Sequence, residues 1–363
     1  MRRIGHLFEQ VATFAALRAA YDRARRGKAG RLAVERFARR LEPELLRLEA
    51  ELQAGTWAPG PTVTFEVWDP KRRTITVAPF RDRVVHHALI AAIGPHLERG
   101  MDPDSFGCRV GKGTDAALAR AVALARRHPW ALRADVAAFF ASVPHDPLLD
   151  QLARLFKDPR LLALVDRIVR AGAGPDTPDR GLPIGHLTSQ WLANLFLTPL
   201  DRALRALPEA RGLVRYMDDL IVFGQARAHL RRVRPALEAA LGGLGLTLNA
   251  RVTQAHRARD GFPFLGFQVE ARGGLRLRAK TWRRLRRAIA ARERLLRRGG
   301  GGAREAGAEV LAAGGLDRSG RAEQGLSEAS LTASVESTLA HLGRAPHLRA
   351  RRAWLARSPP TVW

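Results

Sequence analysis

Two adjacent carboxylates, Asp218 and Asp219, stand in "RYMDDLIVFG" beside an apolar run that would form part of a core. Successive side chains of a strand point to opposite faces, so neighbouring aspartates share one site only where the backbone turns. A hairpin tip between "LVRYM" and "LIVF" would bring that about. Two carboxylates held together repel and raise one another's pKa unless a cation intervenes. Oxygen ligands of this kind suit Mg²⁺, which keeps waters and also takes substrate phosphates. A third carboxylate, Asp135 in "LRADVAAFFASVPHD", sits near the end of a β-type run from which it could meet the hairpin. Three acidic groups in a basic chain point to two-metal phosphoryl transfer, one ion activating a 3′ hydroxyl and the other stabilising the leaving pyrophosphate. A lone Asp-Asp pair is more often a solvated turn, so the surrounding pattern must decide.

The elements needed to position these groups are legible as patterns. Residues 7–53 carry apolar side chains at three- and four-residue spacing and predict amphipathic helix. "TVTFEVWDPKRRTITVAPF" holds two alternating runs around a turn-like "DPKRR" and predicts a basic hairpin. Helical periodicity returns from Asp82 to about Leu97 and from Thr114 to Arg127. A strand is expected in "WALRADVAAFF", a helix over 146–171, a Gly/Pro loop in "AGAGPDTPDRGLPIG" and a helix from Thr188 to Leu204. Strands and helices in irregular order predict an α+β fold rather than a repeating βαβ series. Beyond Gly273 a basic helical segment, "KTWRRLRRAIAARERLLRR", gives way to a Gly-rich stretch over 299–328, expected to be a flexible connection. A final helix is expected over about 329–357.

Composition restricts the partner. The 363 residues hold 61 Lys and Arg against 35 Asp and Glu, a net charge of +26, and the sequence pI is about 11.6. That imbalance favours a polyanion, nucleic acid first, over a merely solvated Arg-rich surface. A single cysteine, Cys108, excludes an internal disulfide and fits a reducing, cytoplasmic compartment. The basic N-terminus lacks an apolar continuation, and no long uncharged apolar stretch predicts a membrane span.

In order along residues 81–267, the blocks "RDRVVHHAL", "SFGCRVGKGTDAAL", "RADVAAFFASVPHD", "GLPIGHLTSQWLANLFLTPLD", "YMDD" and "GFPFLGF" closely resemble the successive blocks of reverse transcriptases. The resemblance implies a right-hand polymerase: an N-terminal helical segment (1–55), fingers and an antiparallel palm (56–272), and a basic helical thumb (273–363). It gives metal binding to Asp135, Asp218, Asp219 and the Val136 carbonyl, with two Mg²⁺ ions for which Mn²⁺ can substitute. Phe140, five residues after Asp135, would pack on the sugar of the incoming nucleotide, while Phe139 fills the core. Arg73 and Lys71 would clamp the triphosphate. Template contacts fall to Arg81 and Arg83, for which an ion pair with Asp82 is an equal use, and to Arg109 and Lys112 around a tight "GKG" turn. In the thumb, Trp282, Arg283, Arg286 and Arg287 would track a duplex backbone.

"LPIGHLTSQ" departs from the commonest family pattern, which has Gln before the glycine and Ser-Pro at the end. Ile184, Gly185 and Gln190 instead resemble the reverse transcriptases of diversity-generating retroelements, where the change accompanies error-prone copying opposite template adenines. An aliphatic Ile184 offers no hydrogen bond to fix the incoming nucleotide and should tolerate misaligned pairs. Arg251 replaces the Lys usual after the hairpin, and Arg does not readily give up its proton. The chain after Val269 suits a thumb but not an added RNase H or endonuclease region. The resemblance therefore implies an RNA-directed DNA polymerase using dNTPs on a template RNA and its RNA–cDNA duplex, partnered by a small basic multimeric accessory protein. A retron or group II intron-like enzyme, and a non-catalytic RNA-binding scaffold of the same fold, are the alternatives.

Overall fold

The helical periodicity of the N-terminal region resolves, in the computed structural model, into three helices: α1 (Phe14–Arg25), α2 (Leu32–Arg39) and α3 (Leu41–Ala54). The structure describes residues 3–28, 30–68, 72–174, 177–279, 281 and 283. Thr13 starts α1 by accepting a hydrogen bond from the Ala16 amide at 3.3 Å, and Gly55 ends α3 in the left-handed region at φ 70°. The expected hairpin follows as β1 (Val63–Trp68) and β2 (Arg72–Val77), antiparallel, with Val67 opposite Arg73. Next come α4 (Phe80–Gly100), against which α1 packs, and α5 (Thr114–Arg127).

The strand expected over "WALRADVAAFF" is shorter than its apolar run. β3 spans Trp130–Asp135; Ala138 then adopts φ 45°, and the chain turns into the short α6 (Phe139–Ser142). The single helix expected over 146–171 is two, α7 (His145–Leu155) and α8 (Pro159–Arg170). Asp158 makes the break, because its carboxylate accepts from the amides of Leu161 at 3.3 Å and Phe8 at 2.9 Å while Pro159 opens α8. Likewise α9 (Leu187–Phe196) and α10 (Thr198–Ala206) divide at Leu197, with Pro199 in the first turn of α10.

β4 (Gly212–Tyr216), β5 (Asp219–Gly224), α11 (Arg227–Gly242) and β6 (Gln254–Arg257) complete the central unit. Its sheet is antiparallel throughout, in the order β4-β5-β3-β6. Leu220 and Val222 of β5 join the main core with Leu132, Leu230 and Val233. Ile221 and Phe223, pointing the other way, are also fully buried, so both faces of this strand are covered.

The chain divides between Arg257 and Ala258. In the second unit, β7 (Phe262–Phe264), β8 (Phe267–Glu270) and β9 (Gly274–Leu277) form an antiparallel meander around buried Phe262, Phe264 and Phe267. The Gly-rich stretch and the last expected helix lie outside the described residues. Among the described residues no helix is long and apolar enough to cross a membrane.

Candidate active site

The register of the sheet brings the three aspartates together. Asp135 is the last residue of β3 and pairs directly across from Asp219, the first of β5, which in turn faces Tyr216 of β4. Met217 and Asp218 form the two-residue turn between those strands, with Met217 at φ 57°. The amide of Val136 donates to the Asp218 carbonyl at 3.3 Å, so the end of β3 is tied to the turn itself.

A buried ion pair holds the turn from below. Arg215, with a side chain 1% exposed, donates to both carboxylate oxygens of Asp201 at 2.7 and 2.6 Å, to Asn194 Oδ1 at 3.0 Å and to the Met217 carbonyl at 3.2 Å. Asn194 passes the constraint on by donating to the Gly107 carbonyl at 2.6 Å. A Cβ on Gly107 would lie 2.9 Å from the Met217 amide nitrogen, so only glycine lets that loop close on the turn. A buried guanidinium is tolerated because every face of it meets an acceptor.

The carboxylates are electrostatically coupled. Burial pushes the Asp219 carboxyl up to about 6, and the charges of Asp135 and Asp218 push the same way. Arg133 opposes them, donating from Nε to Asp219 Oδ1 at 3.4 Å. Asn249 donates through its side chain to Asp135 Oδ2 at 2.9 Å, and its amide donates to the Asp135 carbonyl at 2.8 Å. Neither Arg133 nor Asn249 stood out in the sequence, because their partners lie 86 and 114 residues away. Among the described residues no three His, Cys, Asp or Glu side chains are gathered into a closed metal cage. The donor set still fits a hard cation that takes one or two carboxylates and completes its shell with water and phosphate.

A second group of expected residues is assembled by the loop before α9. The amide of Thr76 on β2 donates to the Ile184 carbonyl at 2.8 Å. Gly185, at φ 119°, packs so closely that a Cβ there would lie 2.5 Å from the Thr76 carbonyl oxygen. Ile184 and Gly185 therefore lie against the strand that carries Arg73, which is exposed. The same loop reaches the segment after Asp135, since the Leu182 amide donates to the Phe140 carbonyl at 2.7 Å. Phe139 is buried and meets Phe140 edge-on at 5.4 Å, leaving Phe140 the more accessible ring. Gln190 is half-buried on α9, and Lys71 lies outside the described residues.

The expected template contacts fare differently. Arg109 is turned inward with a side chain 5% exposed. It donates to Glu98 at 2.8 Å and to the carbonyls of Asp102 and Ser105 at 2.5 and 2.8 Å. Lys112 likewise serves the carbonyls of Pro103 and Ser105 and lies over the Phe106 ring. The irregular segment before α5 needs donors for its carbonyls, and these two cations supply them. Arg81 pairs with Glu51 and lies 3.9 Å from Asp82. Arg83 stacks on Phe80. Arg283 is exposed, while Trp282, Arg286 and Arg287 lie outside the described residues.

The site thus consists of a four-stranded antiparallel sheet with carboxylates at a hairpin tip and at the end of the adjacent strand. The family described as reverse transcriptase (RNA-dependent DNA polymerase) matches residues 69–269, and the chain belongs to it. Protein YkfC of Escherichia coli (strain K12) is 26% identical over 275 residues, covering 63% of this chain and 72% of that protein. An uncharacterized 91 kDa protein in the cob intron of Schizosaccharomyces pombe is 27% identical over 155 residues, 42% of this chain but only 19% of that protein. The solved apo telomerase from Candida tropicalis aligns at a TM-score of 0.45 and 11% identity, over 58% of this chain and 46% of that one.

Proposed function

We propose that this chain is a reverse transcriptase that extends a primer along a template RNA with dNTPs, and that it does so for a diversity-generating retroelement. The observation that carries the polymerase reading is the pairing of Asp135 with Asp219 across β3 and β5, with Asp218 in the adjoining turn. Asp135, Asp218, Asp219 and the Val136 carbonyl would hold two Mg²⁺ ions. When bound, such ions lower the pKa of the primer 3′ hydroxyl and neutralise charge building on the leaving pyrophosphate. Arg133 keeps Asp219 more ionised than burial alone would allow, and Asn249 fixes one oxygen of Asp135 so that the other can turn to the cation. Arg73, with Lys71, would meet the triphosphate from the β1–β2 hairpin, and Phe140 would pack on the sugar. Fingers and palm would comprise residues 56–272 and the thumb 273–363, although the compact units part between Arg257 and Ala258, with a small basic multimer as accessory partner and the cytoplasm as the setting.

Ile184 supports the error-prone subtype. It sits in the loop stitched to β2, where its side chain cannot offer the hydrogen bond that a Gln would. A group II intron-like enzyme is the second reading, favoured by the match to a fungal protein described as lying in an intron. The test is to supply the purified chain with a primed RNA, dNTPs and Mg²⁺ and to sequence the product. DNA with errors concentrated opposite adenines is expected. DNA copied evenly would support the second reading, and no DNA would sink both.

A further inference from the structure

Around the first turns of α4 the fold gathers cations and imidazoles several of whose buried nitrogens meet no acceptor among the described residues. Phe80 knots α4 to the N-terminal helices, its ring meeting Tyr21 at 6.0 Å and Phe37 at 5.3 Å. Arg83 lays its guanidinium 5.4 Å from the centre of that ring. Its buried Nε has no hydrogen-bond partner, and the same is true of Arg23, two residues beyond Tyr21. His86 and His87 follow Arg83 by three and four residues and so share its side of the helix. His86, 3% exposed, meets His186, 7% exposed, with ring centres 5.2 Å apart. Nδ1 of His86 and both ring nitrogens of His186 are without partners.

The electrostatics agree with this crowding. Burial, then Arg83 and Arg31, lowers the Lys28 amine. Burial, then Lys28, Arg23 and Arg83, pushes His87 down to about 4. Nearby acids face other partners: Asp22 pairs with Arg18 and Arg25, Glu51 with Arg81, and Asp82 accepts from the Gly60 amide through Oδ2 at 2.8 Å while its Oδ1 lies 3.9 Å from Arg81. Arg83 also stands in the first turn of a helix, whose dipole is already positive there. Desolvated donors without acceptors are costly, and a fold that keeps several in one place provides for an acceptor that arrives from outside.

We infer that this cluster, Arg23, Lys28, Arg83 and His87 on the side of α4 that also carries the His86–His186 ring contact, binds a phosphate group outside the candidate active site. The phosphate has two sources, a phosphodiester of bound RNA or a free phosphate or pyrophosphate. Only the first rests on the polymerase reading. Because His186 directly follows Gly185, a ligand here would also brace the loop that lies against β2.

The full-length Asp218→Asn chain allows binding to be read without turnover, so a failure to polymerise leaves the cluster testable. Its thermal midpoint is followed in phosphate-free buffer with inorganic phosphate, pyrophosphate or single-stranded RNA added, beside Arg83→Leu in the same background. Removing a desolvated cation should leave the ligand-free midpoint unchanged or higher, while cancelling the rise brought by the anion. For RNA, affinity should fall about tenfold and the salt slope should shrink by about 1. Loss confined to RNA assigns a phosphodiester, loss confined to the small anions assigns a free phosphate, and loss of both supports a cluster that takes either. Should Arg83→Leu melt without cooperativity, His87→Gln serves as the variant. No anion-induced rise in the parent, or a rise and salt slope unchanged in the folded variant, overturns the inference.

Discussion

At the scale of single residues the site is a balance between repulsion and restraint. Asp219, with a side chain 18% exposed, carries a carboxyl raised to about 6 by burial and by Asp135 and Asp218. A folded-state pKa above the usual carboxylate value means that the folded chain binds more protons than the unfolded one between about pH 4 and 6. Stability from this group is therefore present at low pH and is lost as pH rises through 6. In the metal-free protein Asp219→Asn should raise stability at pH 7 by about 2 kcal/mol, the value of a shift of roughly two units softened by partial exposure. Chemical denaturation in chelator reads this directly, and a destabilised variant would contradict it. Activity should run the other way, falling in acid as Asp219 takes up a proton in place of the cation, and Arg133→Gln should move that fall to higher pH because the opposing cation is gone. An unshifted profile would show that Arg133 does not act on Asp219.

At the scale of elements, what matters is how the strands and loops are held in register. The hairpin turn depends on Arg215 and Asp201, a pair each about 1% exposed. Arg215→Met should cost about 3–5 kcal/mol, since it leaves Asp201 buried and unpaired; a denaturation midpoint within error of the parent would remove the pair from the account. Gly185→Ala should destabilise the loop before α9 by about 1–3 kcal/mol, through its positive φ and the clash with the Thr76 carbonyl. Proteolysis of the β1–β2 hairpin should quicken with it, and unchanged proteolysis would show that the stitch to β2 does not matter. Much of this level was legible beforehand. The hairpin over 63–77, the span of α5 and the turn that unites Asp218 with Asp219 all follow from alternation, helical spacing and the geometry of adjacent side chains. Where the patterns misled, a local competitor won: the Asp158 cap with Pro159 split one expected helix, and the left-handed Ala138 ended β3 at Asp135. The supports of the site, Asn194, Asp201, Arg133 and Asn249, could not be read because polar residues in strands and helices carry no periodic signal of the distant partner they meet.

For the molecule as a whole, the excess of cations is the property that a sequence states most plainly and locates least well. A charge of +26 favours nucleic acid, yet two of the cations singled out for it, Arg109 and Lys112, are used to satisfy backbone carbonyls. Charge counting does not separate a cation that holds a loop from one that waits for a phosphate; only hydrogen-bond partners do. RNA affinity of the full chain should fall by about 10³ between 50 and 200 mM salt if some six phosphates are neutralised, and a flat salt response would refute an electrostatic footprint of that size. The central claim is narrower and concerns chemistry. It is tested most directly by measuring Mg²⁺-dependent dNTP incorporation on a primed RNA by the parent chain and by Asp218→Asn, with RNA affinity measured in parallel. Incorporation should fall by about 10³-fold, equivalent to roughly 4 kcal/mol of lost transition-state stabilisation, while RNA affinity stays within about twofold. Equal incorporation by the two chains would contradict the assignment of the aspartate cluster as the catalytic centre.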